Sequence, residues 1–187
     1  MFLKHGEAAA LELLDSVLTS LGIVASKMKV TRLDVAADLP GVSVQQFNDV
    51  IERRDYITRS RAEFQRWSSS KTGRVTSVRM KTESTTLRIY DKIEELRKGN
   101  DVAKQQLMSI NRHGAECQIA TRVEFQFSLS HLRALKFNNI EELLSGLGVL
   151  IEWATMSWFK CCEVSDRRHT ERAVVSDIWL RTLHAFA

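Results

Sequence analysis

A chain of 187 residues, 44% hydrophobic, can bury one sizeable core with a small appendage, too little for two full domains. Lys and Arg outnumber Asp and Glu by 27 to 23, a mild excess that suits a polyanionic partner without requiring one. Three cysteines without a CxxC pair, no apolar run of membrane-spanning length and no signal-peptide core in MFLKHGEAAA exclude a zinc ribbon, a disulfide scaffold and a membrane span, and predict a cytoplasmic protein.

In chain order, residues 6 to 24 place Ala9, Leu11, Leu13, Leu14, Val17, Leu18 and Leu21 at helical spacing before Gly22, predicting an amphipathic helix packed on the core. KVTRLDVAADLPG alternates as a strand and stops at the only proline, Pro40, followed by Gly41. Ser43, with Gln46 three residues on, reads as a capping box opening a second helix through Phe47, Val50 and Ile51 and past Tyr56. A loop over Ser68 to Gly73, a strand over Val75 to Lys81 and the strand containing Tyr90 follow. A charged helix then starts after Lys92, breaks at Gly99 and Asn100 and resumes from Val102 to Ile110. A strand from Ile119 to Leu129 precedes helices over His131 to Lys136, Ile140 to Lys160 and Thr170 to Phe186. This order predicts an α+β fold with a mainly antiparallel sheet: a sheet-containing core over about 25–130 and a helical part over about 131–187. The late helices are read as core support, with Trp153, Trp158 and Trp179 buried. His113 and His131 are isolated, and the arginine runs, Arg167-Arg168-His169 among them, read as solvated helix faces.

Alternation divides three strands alike, because residues two apart share a face. Leu33, Val35, Ala37 and Leu39 oppose Arg32, Asp34, Ala36 and Asp38; Leu87 and Ile89 oppose Arg88, Tyr90 and Lys92; Val123, Phe125, Phe127 and Leu129 oppose Arg122, Glu124, Gln126 and Ser128. One core from the apolar rows gathers Asp34, Asp38, Glu124, Tyr90, Lys92 and several arginines on the other face. Clustered carboxylates suit a hard divalent cation, Mg2+ or Mn2+, and such an ion would polarise a phosphoryl oxygen beside an attacking phenol. A phenol is a poor nucleophile until a base or nearby cations help remove its proton. The same residues could equally be cross-strand ion pairs on a wet sheet face. Alternation leaves both readings open.

KVTRLDVAADL, LRIYDKIEEL and TRVEFQFS with the following HLRALKFNNIEELL resemble, in order and spacing, successive motifs of the rolling-circle replication initiators, shared by small-plasmid initiators and conjugative-element relaxases and, more distantly, filamentous-phage replication endonucleases. The resemblance spans about residues 6 to 155. It implies a DNA nicking and joining enzyme whose tyrosine attacks one strand at an origin, stays joined to the 5′ phosphate and leaves a free 3′ hydroxyl. By the resemblance Tyr90 is the nucleophile and Lys92 its phosphate-neutralising companion. Asp34 and Glu124, with Asp38 as a third, are the implied metal ligands, and Arg32, Arg88 and Arg122 the implied DNA contacts. Origin DNA, unwound or single-stranded at the nick, is the implied substrate; a helicase, a host polymerase and dimerisation are implied partners. No GxxxxGK[ST] loop is present, which fits joining without a nucleotide cofactor. Family members usually carry more sequence before the TRLD motif, as expected if this chain is a trimmed piece of a longer initiator or a divergent short form. The alternatives are a non-catalytic DNA-binding domain and a tyrosine recombinase, the latter disfavoured because no arginine-histidine constellation surrounds the tyrosine.

Overall fold

The computed structural model describes residues 7–24, 28–99, 118–163 and 172–186, without the side chains at 7, 8, 10 and 11. The predicted helix over Val102 to Ile110, and also His113, Cys117 and Arg167-Arg168-His169, lie outside the described residues. The elements are α1 (Glu7–Ser20), β1 (Arg32–Pro40), α2 (Val44–Arg53), β2 (Tyr56–Thr58), β3 (Phe64–Ser68), β4 (Val75–Lys81) and β5 (Thr85–Asp91). They continue as α3 (Lys92–Lys98), β6 (Ala120–Ser128), α4 (Leu129–Ala134), α5 (Ile140–Glu152), a π-helical turn (Trp153–Trp158), β7 (Phe159–Cys161) and α6 (Asp177–Phe186).

Five strands form one antiparallel sheet in the order β1-β6-β5-β4-β3, and β2 pairs with β7 beside it, the α+β architecture expected. The apolar rows read from the sequence build the core: Leu39, Leu87, Ile89, Val123, Phe125 and Phe127 are all buried in one cluster. Helices α2 and α6 and the π-helical turn cover that face. Trp179, wholly buried, sits edge-on to Phe47, Phe125 and Phe159, and its indole N–H donates to the Thr155 carbonyl at 2.8 Å. Trp158 is buried against Phe125 and Trp153 partly buried, as their predicted core role requires. His131 is stacked between Phe127 and Trp153, and burial lowers its pKa.

Three expectations are corrected. Helix α2 begins as predicted, with Gln46 Oε1 accepting from the Ser43 N–H at 2.9 Å, but ends at Arg53. Arg54 takes a left-handed conformation (φ 63°), its N–H closing on the Ile51 carbonyl, and Tyr56 enters a strand instead. The helix from Ile140 stops short of Lys160, because the π-helical turn leads into Phe159–Cys161, which pairs with Tyr56–Thr58. Helix α1 forms, yet of the described leucines and valine in it and just after it Leu18 is buried and Leu14 half-buried while Leu13, Val17 and Leu21 are exposed, so the stripe is largely not packed on the core. Among the described residues no helix is long and apolar enough to cross a membrane.

Candidate active site on the polar sheet face

Register decides which polar side chains become neighbours. Tyr90 on the central strand β5 stands opposite Arg122 on β6, and Arg122 opposite Asp38 on β1. In the next row Arg88 stands opposite Glu124, and Glu124 opposite Ala36; Asp34 faces Gln126 one row further. The face is not simply wet. Tyr90, Glu124, Asp38 and Lys92 are all buried, although each was read as belonging to the polar side. Buried charges demand partners, and they have them.

The Tyr90 hydroxyl donates to Glu124 Oε2 at 3.0 Å, and Arg88 Nη1 donates to Glu124 Oε1 at 2.9 Å. The Arg88 guanidinium also lies over the Tyr90 ring, 5.0 Å from its centroid, and Lys92 Nζ lies 5.7 Å from the same centroid. Lys92 is the first residue of α3, and its ammonium pairs with Glu95. That helix starts where it does because the Asp91 carboxylate caps it, accepting from the Glu94 N–H at 2.9 Å while pairing with Arg74. The strand-to-helix switch therefore holds tyrosine and lysine on one face.

Burial pushes the Tyr90 phenol above its ordinary range, and the Glu124 charge pushes it further; Arg122 acts in the opposite sense. For Arg122, burial works against the charge, but the bidentate bonds to Asp38, at 2.6 Å each, outweigh it and raise the pKa. The exposed Arg32 makes the same fork to Asp34, at 2.8 and 2.5 Å, which raises its pKa.

Of the residues singled out in the sequence, Tyr90, Glu124, Lys92, Arg88, Arg122 and Asp38 come together, and Asp34 with Arg32 lies to one side. The predicted three-carboxylate metal set does not assemble. Asp34 and Asp38 share a face of β1 but stand four residues apart, about 13 Å along a strand. Among the described residues no three His, Cys, Asp or Glu side chains converge as a metal site would need. Moreover, each oxygen of Asp34, Asp38 and Glu124 is already held by an arginine or by Tyr90. Their oxygen chemistry suits Mg2+ or Mn2+, but their placement does not fit one ion.

Sequence reasoning missed the far side of the face. Trp67 on β3 stands opposite Ser77 on β4, which stands opposite Tyr90, and the Arg79 guanidinium covers the Trp67 ring at 5.1 Å. The segment FQRWS does not alternate cleanly because Arg66 occupies a core-side position. It is tolerated there because it reaches Asn48 at 2.9 Å and Glu52 at 3.1 Å on α2.

The sequence matches no protein-family model, and no curated protein is similar to it at a significant level. By structure, the chain is similar to a solved protein described as a rolling circle replication initiator protein from Geobacillus stearothermophilus, with a TM-score of 0.54 and 15% identity. The similarity covers 84% of this chain and 56% of that one, so the chain spans little more than half the length of the neighbour. At this identity the likeness is one of fold.

Proposed function

We propose that this chain nicks and rejoins a DNA strand at a replication or transfer origin, with Tyr90 as the attacking group. The observation that carries the reading is the buried hydrogen bond from Tyr90 to Glu124, flanked by Arg88, Arg122 and Lys92. The initiator fold of the structural neighbour supports it.

In the reaction the Tyr90 oxygen forms a bond to the scissile phosphorus, the bond from phosphorus to the 3′ oxygen breaks, and that oxygen leaves as a hydroxyl after taking a proton from water. The phenol proton goes to Glu124, whose carboxylate accepts the Tyr90 hydrogen bond. Magnitude selects how. An ordinary phenol and an ordinary carboxylic acid differ by about 6 pK units, so complete transfer before attack costs ~8 kcal/mol, and burial of Tyr90 adds to that. Glu124 therefore acts as a general base, taking the proton while the oxygen-phosphorus bond forms. Arg88 and Lys92, already over the ring, oppose the charge developing on the phenol and the phosphoryl oxygens. Attack of the 3′ hydroxyl on the phosphotyrosyl bond runs the sequence backwards, with Glu124 returning the proton. No nucleotide is consumed, because the phosphotyrosine retains the energy of the broken diester.

The family resemblance implies a divalent ion. Since the carboxylates do not fit one as they stand, no step is assigned to it. One observation favours a second reading, a non-catalytic DNA-binding domain: every carboxylate oxygen of Asp34, Asp38 and Glu124 is already engaged by an arginine or by Tyr90.

The test is incubation with single-stranded origin DNA, with and without Mn2+. A covalent protein-DNA adduct that survives denaturation and is lost in Tyr90→Phe is the expected result. Equal adduct in that variant removes Tyr90 from the chemistry, and binding without cleavage under every condition favours the second reading.

A further inference from the structure

The polar face carries two arginine-aromatic stacks. Arg88 covers Tyr90, which is buried; Arg79 covers Trp67, which is 44% exposed. The two aromatics lie in one cross-strand row, Tyr90 to Ser77 to Trp67, so they share a face and stand two strand spacings apart, about 10 Å.

Three features separate this stack from an ordinary surface aromatic. First, Arg79 stands directly opposite Arg88, a like-charge pairing that costs stability unless something offsets it. Arg88 has Glu124, whereas Arg79 bonds only the neutral Gln65, at 3.2 and 2.7 Å, and has no carboxylate partner among the described residues. Its charge is therefore left over for an anion. Second, the pairing of β3 with β4 shifts register between Trp67 and Ser68, and the Thr76 hydroxyl donates to the Trp67 carbonyl at 3.3 Å, so a bulge fixes the backbone that aims this ring. Third, the exposed ring lies at the sheet edge, open to a chain crossing the strands toward Tyr90.

We infer that Trp67 and Arg79 form a base-stacking platform for single-stranded DNA, taking an unpaired nucleobase that flanks the phosphate presented to Tyr90. The ring supplies a π-face usable by any base and Arg79 neutralises an adjacent phosphate, the combination that single-strand binders use. This deepens the nicking reading and rests on it for its substrate class.

The experiment compares a fluorescein-labelled oligothymidylate with an abasic chain of the same length, binding each to the wild-type protein, Trp67→Ala and Trp67→Phe without divalent cation. Trp67→Ala weakens oligothymidylate binding about 5- to 150-fold, leaves the abasic chain unchanged, and Trp67→Phe restores most of the loss. Unchanged oligothymidylate affinity in Trp67→Ala overturns the platform, and so does an equal loss on both chains, which would mark a structural or purely electrostatic role. The adduct assay stays separate. An adduct persisting in Tyr90→Phe defeats the Tyr90 assignment, and binding without any adduct defeats the nicking reading; both leave the stacking result standing, while a normal adduct alongside unchanged Trp67→Ala binding defeats only the platform.

Discussion

Glu124→Gln is the sharpest probe of the proposed chemistry, because it keeps the shape of the side chain and changes what it can accept. Glu124 accepts on both oxygens, from Arg88 at 2.9 Å and from Tyr90 at 3.0 Å. A glutamine has one oxygen, so one of the two donors must face an amide NH2. Hydrogen bonds to a charged group contribute about 1.5–3 kcal/mol. The Arg88 share is smaller because its side chain is 41% exposed and its charge is screened. A net loss of about 1–3 kcal/mol follows, a fall in Tm of a few degrees for a chain of this size. The kinetic effect is larger: loss of a positioned base lowers the rate of adduct formation about 10²–10⁴-fold near neutral pH. The pH dependence carries the diagnosis. Burial and the Glu124 charge both hold the Tyr90 phenol protonated, and the substitution removes the second cause, lowering the phenol pKa. The variant should regain rate as pH rises toward 10 while the wild type changes little. Adduct formation within threefold of wild type, with the same pH profile, would refute Glu124 as the base.

Three further outcomes are expected. The folded-state pKa of Tyr90 is raised, so its contribution is fully present below the unfolded phenol pKa near 10 and lost as pH rises above it, at up to about 1.4 kcal/mol per unit; urea unfolding between about pH 8 and 11 should show a shallower alkaline loss in Tyr90→Phe than in wild type. Asp38→Asn strands the Arg122 guanidinium in a site where its side chain is 15% exposed, costing about 3–5 kcal/mol by urea unfolding, and adding Arg122→Gln should restore part of it; an additive double variant would show that the pair is not coupled. Arg88→Gln releases Glu124 Oε1 but leaves Asp34 and Asp38 about 13 Å apart along β1, so calorimetry should record no gain in Mn2+ affinity over wild type, and clearly tighter binding would overturn the conclusion that these carboxylates do not fit one ion.

Strand parity was the most legible layer of the sequence. It separated Leu87 and Ile89 from Tyr90 and put Glu124 and Asp38 on the tyrosine's side. Parity carries no distances along a strand, however, and so grouped Asp34 with Asp38 although a strand's rise keeps them from one ion. Nor does it report burial: Tyr90, Glu124 and Asp38 are buried in hydrogen bonds and ion pairs, while Arg88, its side chain 41% exposed, and Trp67, 44% exposed, leave other parts of the same face open to solvent. Tyr56 and Phe159 were misread as helical because what ends those helices, a left-handed Arg54 and a π-helical turn, is conformational and leaves no glycine or proline in the sequence. Trp67 escaped notice because Arg66 beside it breaks the alternation, its charge being compensated by α2, far away in the chain.

The sheet order has a consequence for timing. A nicking enzyme that must later reseal has to keep its covalently loaded residue in place throughout an interval whose length is set by the passage of other machinery. Tyr90 sits on the third of five strands, laced on one side to β6 and on the other to β4. Edge strands can fray singly, but a central strand opens only when its neighbours do, so its amides belong with the slowest to exchange. On the proposed nicking reading, the loaded tyrosine is thereby anchored in the part of the molecule that opens most rarely.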